Sequence, residues 1–278
     1  MKKLLVLVVA VFSSYMVFSQ DSTVVNPLSD TLPEAKIDTL PINNPNDLIE
    51  KTEDENKRRS QLNIQQLALA GRSKDHLLIQ VGLDNWSGKN DSINTTGLSR
   101  SFNMYLMFDF PFKTNPHLSI AVGAGIGSSN IYFKDTYIDV AGRQGNRLSF
   151  NDVGDTTHFK KYKLLTSYLE APVEFRYMMH PEKPKKSLKF AVGAKAGLLL
   201  GAGTKGKTLL NGSGRTLNSY IQKEKSKRYF NSARIAATAR IGYGAFSLFG
   251  QYQVNQFVKE GFGPDVRPYS IGITLSGL

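Results

Sequence analysis

The chain has no cysteine among its 278 residues. That excludes disulfides, thiolate metal sites and a lipoprotein anchor, and it suits an oxidising compartment outside the cytoplasm. No apolar run is long enough for a membrane helix, which needs about 20 residues; the run at the start, Leu4–Phe12, has nine. Any insertion into a bilayer is therefore by strands. Acidic residues are the minority charge, 23 against 35 Lys and Arg, giving a formal net charge of +12. Histidine is scarce, and His76, His117, His158 and His180 show no metal-ligand spacing. Neither Gly-x-Ser-x-Gly nor His-Glu-x-x-His occurs, so no hydrolase or metalloprotease signature is present. The glycine stretches 201–203 and 212–214 lack the Gly-Lys-Ser/Thr ending of a phosphate loop.

What is there begins with an export pattern. Lys2 and Lys3 precede the nine apolar residues, and Val17 and Ser19 suit cleavage before Gln20. Residues 1–19 are expected to be a signal peptide, and their loss lowers the charge to +10. From Gln20 to Asn46 the chain is rich in Pro, Asp, Asn and Thr, and Asp-Thr-Leu-Pro occurs at 30–33 and again at 38–41. Such a stretch buries too little apolar surface to offset its ordering entropy. Asp47 then suits the cap of a helix running towards Leu69 and ending at Gly71. Residues 20–75 are expected to form a disordered, partly helical periplasmic tail. The basic balance of an exported chain points to anionic lipid or acidic glycans and away from nucleic acid.

After Gly71, apolar and polar residues alternate with a period of two in eight segments: 76–85, 99–110, 118–128, 163–177, 187–200, 233–243, 245–257 and 268–278. A period of two sends successive side chains to opposite faces of a sheet. In 168–177, Leu169, Ala171, Val173, Phe175 and Tyr177 share one face, with Glu170, Pro172, Glu174 and Arg176 on the other. Pro172 cannot donate to a ladder, so it is expected beside a bulge or an unpaired position. Connections after the odd segments are long (86–98, 129–162, 201–232, 258–267), and those after the even segments are short (112–117, 178–186, Gly244). This is the layout of an outer-membrane barrel, with tight periplasmic turns and long outer loops. The polar set is rich in Gly, Ala and Ser, as the narrow interior of an eight-stranded barrel requires. A soluble ligand-binding barrel would place Phe102, Phe108 and Phe190 inside, where they crowd. Phe110, Phe112, Tyr177, Tyr243, Phe246 and Tyr269 are read as an aromatic girdle on the short-turn side. The expected fold is all-β: an eight-stranded antiparallel transmembrane β-barrel over 76–278.

The stretch Tyr168-Leu-Glu-Ala-Pro-Val-Glu-Phe-Arg-Tyr177 resembles the strand signature of the PorT-like outer-membrane β-barrel proteins of Bacteroidetes-type bacteria. The Gly-rich run 121–127, Ala191-Val-Gly-Ala194 and Gly242-Tyr-Gly244 are similar to that family as well. The resemblance implies the outer membrane of a Gram-negative bacterium and a link to protein secretion.

Inward parity collects Asp84, Asp109, Glu170, Glu174, Arg176, Lys189, Lys195, Arg234 and Arg240. Glu170, Glu174, Arg176, Lys195, Arg234 and Arg240 are expected to form a lumenal charge network. Such a network is either a conducting path or acidic-solute site, or a plug of mutually paired charges; the narrow barrel favours the plug. In the third outer loop, Lys223, Lys225, Lys227 and Arg228 stand against one acid, Glu224, and are a candidate contact for lipopolysaccharide phosphates. The same residues also fit a solvated, mobile loop. His158, near Asp152, Asp155 and Thr157, is the one candidate for a lipid-modifying centre. The residues point to a non-enzymatic structural or interaction protein without cofactor, partnered by outer-membrane lipid and by envelope or secretion proteins. A small porin or acidic-solute binder is the second reading, and a lipid-modifying enzyme the third.

Overall fold

The computed structural model describes Lys57 and residues 76–89, 93–96, 99–143 and 145–276. The expected signal peptide and tail lie outside the described residues, apart from Lys57, which is helical and exposed.

Eleven strands follow in order. They are β1 (Leu77–Ser87), β2 (Arg100–Pro111), β3 (Leu118–Phe133), β4 (Thr136–Ile138), β5 (Phe150–Asp152), β6 (His158–Met178), β7 (Leu188–Leu210), β8 (Thr216–Lys225), β9 (Ala233–Tyr243), β10 (Phe246–Gln253) and β11 (Arg267–Ser276). Eight of them, β1, β2, β3, β6, β7, β9, β10 and β11, pair antiparallel in a closed ring, with β1 against β11 and β6 against β7. Closure leaves no unpaired sheet edge around the barrel.

Alternation explains the ring. β6 is buried at every even position from Tyr162 to Met178. The odd positions point out, and Leu169, Val173 and Phe175 are 43–49% exposed. The same outward apolar set recurs on the other ring strands, for example Leu106, Val192, Ile235, Leu248 and Ile273. A continuous apolar exterior over a polar interior is stable in lipid and not in water.

The chain turns tightly on one side of the barrel. Gly244 adopts φ +61°, which lets β9 reverse into β10 through two residues with Tyr243 paired to Phe246. Phe110, Phe112, Tyr177, Tyr243 and Phe246 gather on this turn side. Tyr269 does not: β11 enters from the other side, and Tyr269 pairs with Asn85 and Tyr252 at the loop-side end of β1 and β10. Pro172 falls in an interruption of the β3–β6 ladder, where pairing stops at Val122–Val173 and resumes at Gly125–Glu170. The sequence-based expectation about this proline follows from its missing N–H.

The loop side differs most from expectation. The segment 201–232 is largely sheet, and about half of 129–162 is strand as well. β6 and β7 run for 21 and 23 residues, far beyond the length a bilayer requires. β8 pairs with the projecting half of β7, and β4 pairs with β5. The reading of 201–232 as a mobile loop is therefore corrected. It forms a hairpin because Gly203–Lys207 of β7 has Lys225–Ile221 in register.

Above the ring these segments share a hydrophobic core. Trp86 packs edge-on against Phe133 at 5.5 Å and against Phe257 at 5.4 Å, and Phe257 meets Phe230 at 5.1 Å. Backbone bonds tie the connections together, among them Asn231 N to Phe257 O (2.9 Å) and Leu148 N to Phe262 O (2.7 Å). Tyr229 and Phe230 are fully buried in this cap.

Candidate functional site

Inside the ring, charged side chains from β6, β7 and β9 meet because inward positions of adjacent strands stand next to one another. Glu170 is the centre of the middle layer. Its Oε2 accepts from Lys195 Nζ at 2.8 Å and from the Tyr105 hydroxyl at 2.5 Å, and its Oε1 accepts from Arg234 Nη1 at 3.0 Å. Lys195 also donates to the Tyr105 oxygen at 2.9 Å. The Arg234 guanidinium lies 5.2 Å over the Tyr168 ring. All the carboxylate's surroundings are dry, since Glu170 is 1% exposed.

A second layer sits nearer the turns. Glu174 accepts from Arg240 Nη2 at 2.6 Å and from Arg176 Nε at 2.9 Å, and Arg176 Nη1 is 3.6 Å from Asp109. Towards the loops, Asp84 accepts from Ser270 at 2.5 Å and from Ser129. Asn103 donates to Gln80, which donates to Thr274, and fills the far wall. Asp109, Glu170 and Glu174 are paired with Arg176, Lys195, Arg234 and Arg240, while Asp84 is held by hydroxyls; a charge buried this way needs such partners to offset its desolvation. Glu170, Lys195 and Arg234 thus form one group, and Glu174, Arg176 and Arg240 another. Tyr105 shares inward parity with Asn103 and Asp109, but being uncharged it does not show in the sequence as a member of the charge network.

The basic residues of the β7–β8 region divide. Lys223 and Lys225 point outward from β8, and Lys227 follows just past its end. They rim a groove of about 660 Å³ with Lys205, over Leu165, Leu200 and Gly201. Arg228 turns away: its Nη2 donates to Asn146 at 2.9 Å and its guanidinium covers the Tyr229 ring at 5.4 Å. Its assignment with the three lysines is corrected. Glu224 points to the opposite face, accepting from Arg143 at 2.9 Å and from Gln222 at 3.0 Å. Burial, with the Glu224 carboxylate beside it, pushes the Tyr137 phenol up.

His158 opens β6 with Nδ1 donating to the Thr156 carbonyl at 3.0 Å. Its other nitrogen faces Asp135 at 3.8 Å, and neither Asp152 nor Asp155 is its partner. Asp152 instead accepts from Gly154 N at 3.0 Å. His117 donates to the Met178 carbonyl at 3.0 Å and fastens a turn.

The closed ring, its apolar exterior and its charge-filled interior define an outer-membrane β-barrel. A family model described as the outer membrane protein beta-barrel domain matches residues 77–267, and the chain belongs to that family. No curated protein matches the chain. Among solved structures it is similar to Ail, the attachment invasion locus protein of Yersinia pestis, at 12% identity and a TM-score of 0.30, over 74% of this chain and 97% of that one. A second structure of Ail, in complex with the heparin analogue sucrose octasulfate, gives 10% identity and a TM-score of 0.31 over the same shares. At these values the likeness carries no argument about activity.

Proposed function

We propose that the protein is a non-conducting, non-enzymatic barrel of the outer membrane that presents a rigid loop-side platform to partners in the cell envelope. The observation that carries this reading is the double closure: a lumen filled by ion pairs around Glu170 and Glu174, under an aromatic cap around Trp86. A conducting path would need hydrated space where Tyr105, Lys195 and Arg234 now touch. His158 has a backbone carbonyl and Asp135 as partners, with no aligned nucleophile, which disfavours lipid chemistry.

The platform reading draws on exposed apolar side chains of β8, Leu217 near the hairpin turn and Ile221 opposite Lys207. Leu217 and Ile221 are 57% and 51% exposed, beyond the reach of the lipid-facing belt. An even number of strands puts both ends of the barrel on the turn side, so residues 20–75 extend into the periplasm once the signal 1–19 is removed. The long-loop side then faces outward, where the basic β8 residues meet lipopolysaccharide. The PorT-like character of 168–177 supports attachment to a secretion assembly.

A photo-activatable residue at Leu217 or Ile221, irradiated in intact cells, tests the platform. A discrete covalent adduct with one envelope protein is expected. Adducts with lipid alone at both positions would overturn the interaction role.

A further inference from the structure

Three lysines stand in line across three neighbouring strands. Lys163 of β6 is in register with Lys205 of β7, and Lys205 with Lys223 of β8. One row further from the membrane, Lys161 opposes Lys207; one row nearer, Lys225 stands beside Gly203. All point outward by strand parity. Directly opposed residues have Cβ atoms about 5 Å apart, and like charges there destabilise a sheet. No acid occupies this face: the outward positions around the lysines are Leu165, Ser167, Gly201, Gly203 and Ile221. Glu224 is turned to the other side of β8 and held by Arg143. Lys163 donates to Asn130 at 2.8 Å and lies 5.3 Å over the Tyr132 ring. Among the described residues, none of these lysines makes an ion pair.

Beneath them β7 changes partner. It pairs with β9 up to Leu198–Ala233 and with β8 from Gly203–Lys225 onward. Between these points Leu199 still bonds Ser232 and Ala202 still bonds Ser226, so the edge of β7 is uncovered only at Leu200 and Gly201, where the groove of about 660 Å³ opens. Its floor is Leu165, Leu200 and Gly201, continuous with Leu169 and Leu198 of the lipid-facing belt. Strands rise about 3.3 Å per residue, so the Lys163 row stands about 7 Å above the Leu165 level before strand tilt is counted. That is headgroup height.

We propose that the lysine rows of β6, β7 and β8 and the groove below them bind the phosphorylated headgroup of an outer-leaflet glycolipid, with acyl chain against Leu165 and Leu200. The phosphates supply the counter-charge that the sheet lacks, through charge-assisted hydrogen bonds. The apolar floor selects an acylated phosphate over a soluble one. The inference deepens the proposed function and rests only on its outward placement of the loop side, not on closure of the lumen.

The test reconstitutes the full chain in phosphatidylcholine nanodiscs doped with either diphosphoryl lipid A or its dephosphorylated form, and counts retained lipid A by native mass spectrometry. Diphosphoryl lipid A is expected to be retained and the dephosphorylated form lost. Lys205→Ser with Lys223→Ser is expected to weaken retention about thirtyfold. Its heat-modifiable gel mobility should persist, and its melting temperature without lipid A should be equal or higher, since opposed charges are gone. Lys183→Ser with Lys185→Ser, on the turn side, should leave retention unchanged. Equal retention by the Lys205/Lys223 variant, or equal retention of the dephosphorylated lipid, overturns the site. Binding of inorganic pyrophosphate as tight as that of lipid A overturns the role of the apolar floor. Nanodisc retention is independent of conductance and of cross-linking, so failure here and failure of the platform reading are separable.

Discussion

Lys195 reaches Glu170 diagonally across the β6–β7 ladder, Nζ to Oε2 at 2.8 Å, while the residue directly opposite Lys195 is Pro172 and the one opposite Glu170 is Gly197. The diagonal is possible because Gly197 and Pro172 leave room for a long side chain to lie along the wall. Lys195 thereby also meets Tyr105 of β2 on the far side of the lumen. With Arg234 of β9 on the other oxygen, four strands are tied through one carboxylate.

Removing that carboxylate strands two cations. Glu170→Ala is expected to destabilise the barrel by about 3–5 kcal/mol, because Lys195 and Arg234 are left without their shared counter-charge. Adding Lys195→Met should recover part of the loss. Urea unfolding in phospholipid micelles, followed by far-ultraviolet circular dichroism, checks both.

Gly127 marks how tightly the lumen is filled. A Cβ at this position would stand 2.7 Å from Glu170 Oε2 and 2.9 Å from Asn103 Oδ1. Those atoms belong to movable side chains, yet Glu170 is held by Lys195, Tyr105 and Arg234 at once. Gly127→Ala is therefore expected to cost about 1–3 kcal/mol in the same unfolding experiment.

The cap should be separable from the ring. Trp86→Ala removes the ring that Phe133 and Phe257 pack against, at about 3–5 kcal/mol of local packing. Limited proteolysis on intact cells should then cut within 134–157 in the variant and spare the parent. The heat-modifiable mobility of the barrel should stay the same, because Trp86 (opposite Pro268) and Phe133 (opposite Tyr162) are rungs at the loop-side ends of their strands, and the substitution leaves the backbone pairs in place.

Much of the ring was legible from residues alone. Glu170 between Leu169 and Ala171 gives the period, and the long and short connections give the direction of each strand. The cap was not legible. Trp86 and Phe133 lie at the ends of β1 and β3, while Phe230 and Phe257 lie beyond the ends of β8 and β10, and nothing within any one of these segments shows that the four rings meet. The outer ends of β6 and β7, beyond 163 and 200, are not legible for a related reason: Lys161, Lys205 and Lys207 do not look like sheet, since nothing in a single strand shows what their charges face. Tyr269 departs from the expected girdle because β11 enters from the loop side, which its aromatic character alone does not show. Arg228 follows Lys223, Lys225 and Lys227 in sequence, but β8 ends at Lys225, and its exposed guanidinium turns to Asn146 and the Tyr229 ring instead.

Single-channel recording across a planar lipid bilayer tests the closed barrel most directly. Purified, heat-modifiable protein inserted under applied voltage should give no discrete current steps, because Glu170, Lys195, Arg234 and Tyr105 fill the lumen. Reproducible open-channel steps from the unmodified chain would contradict the account.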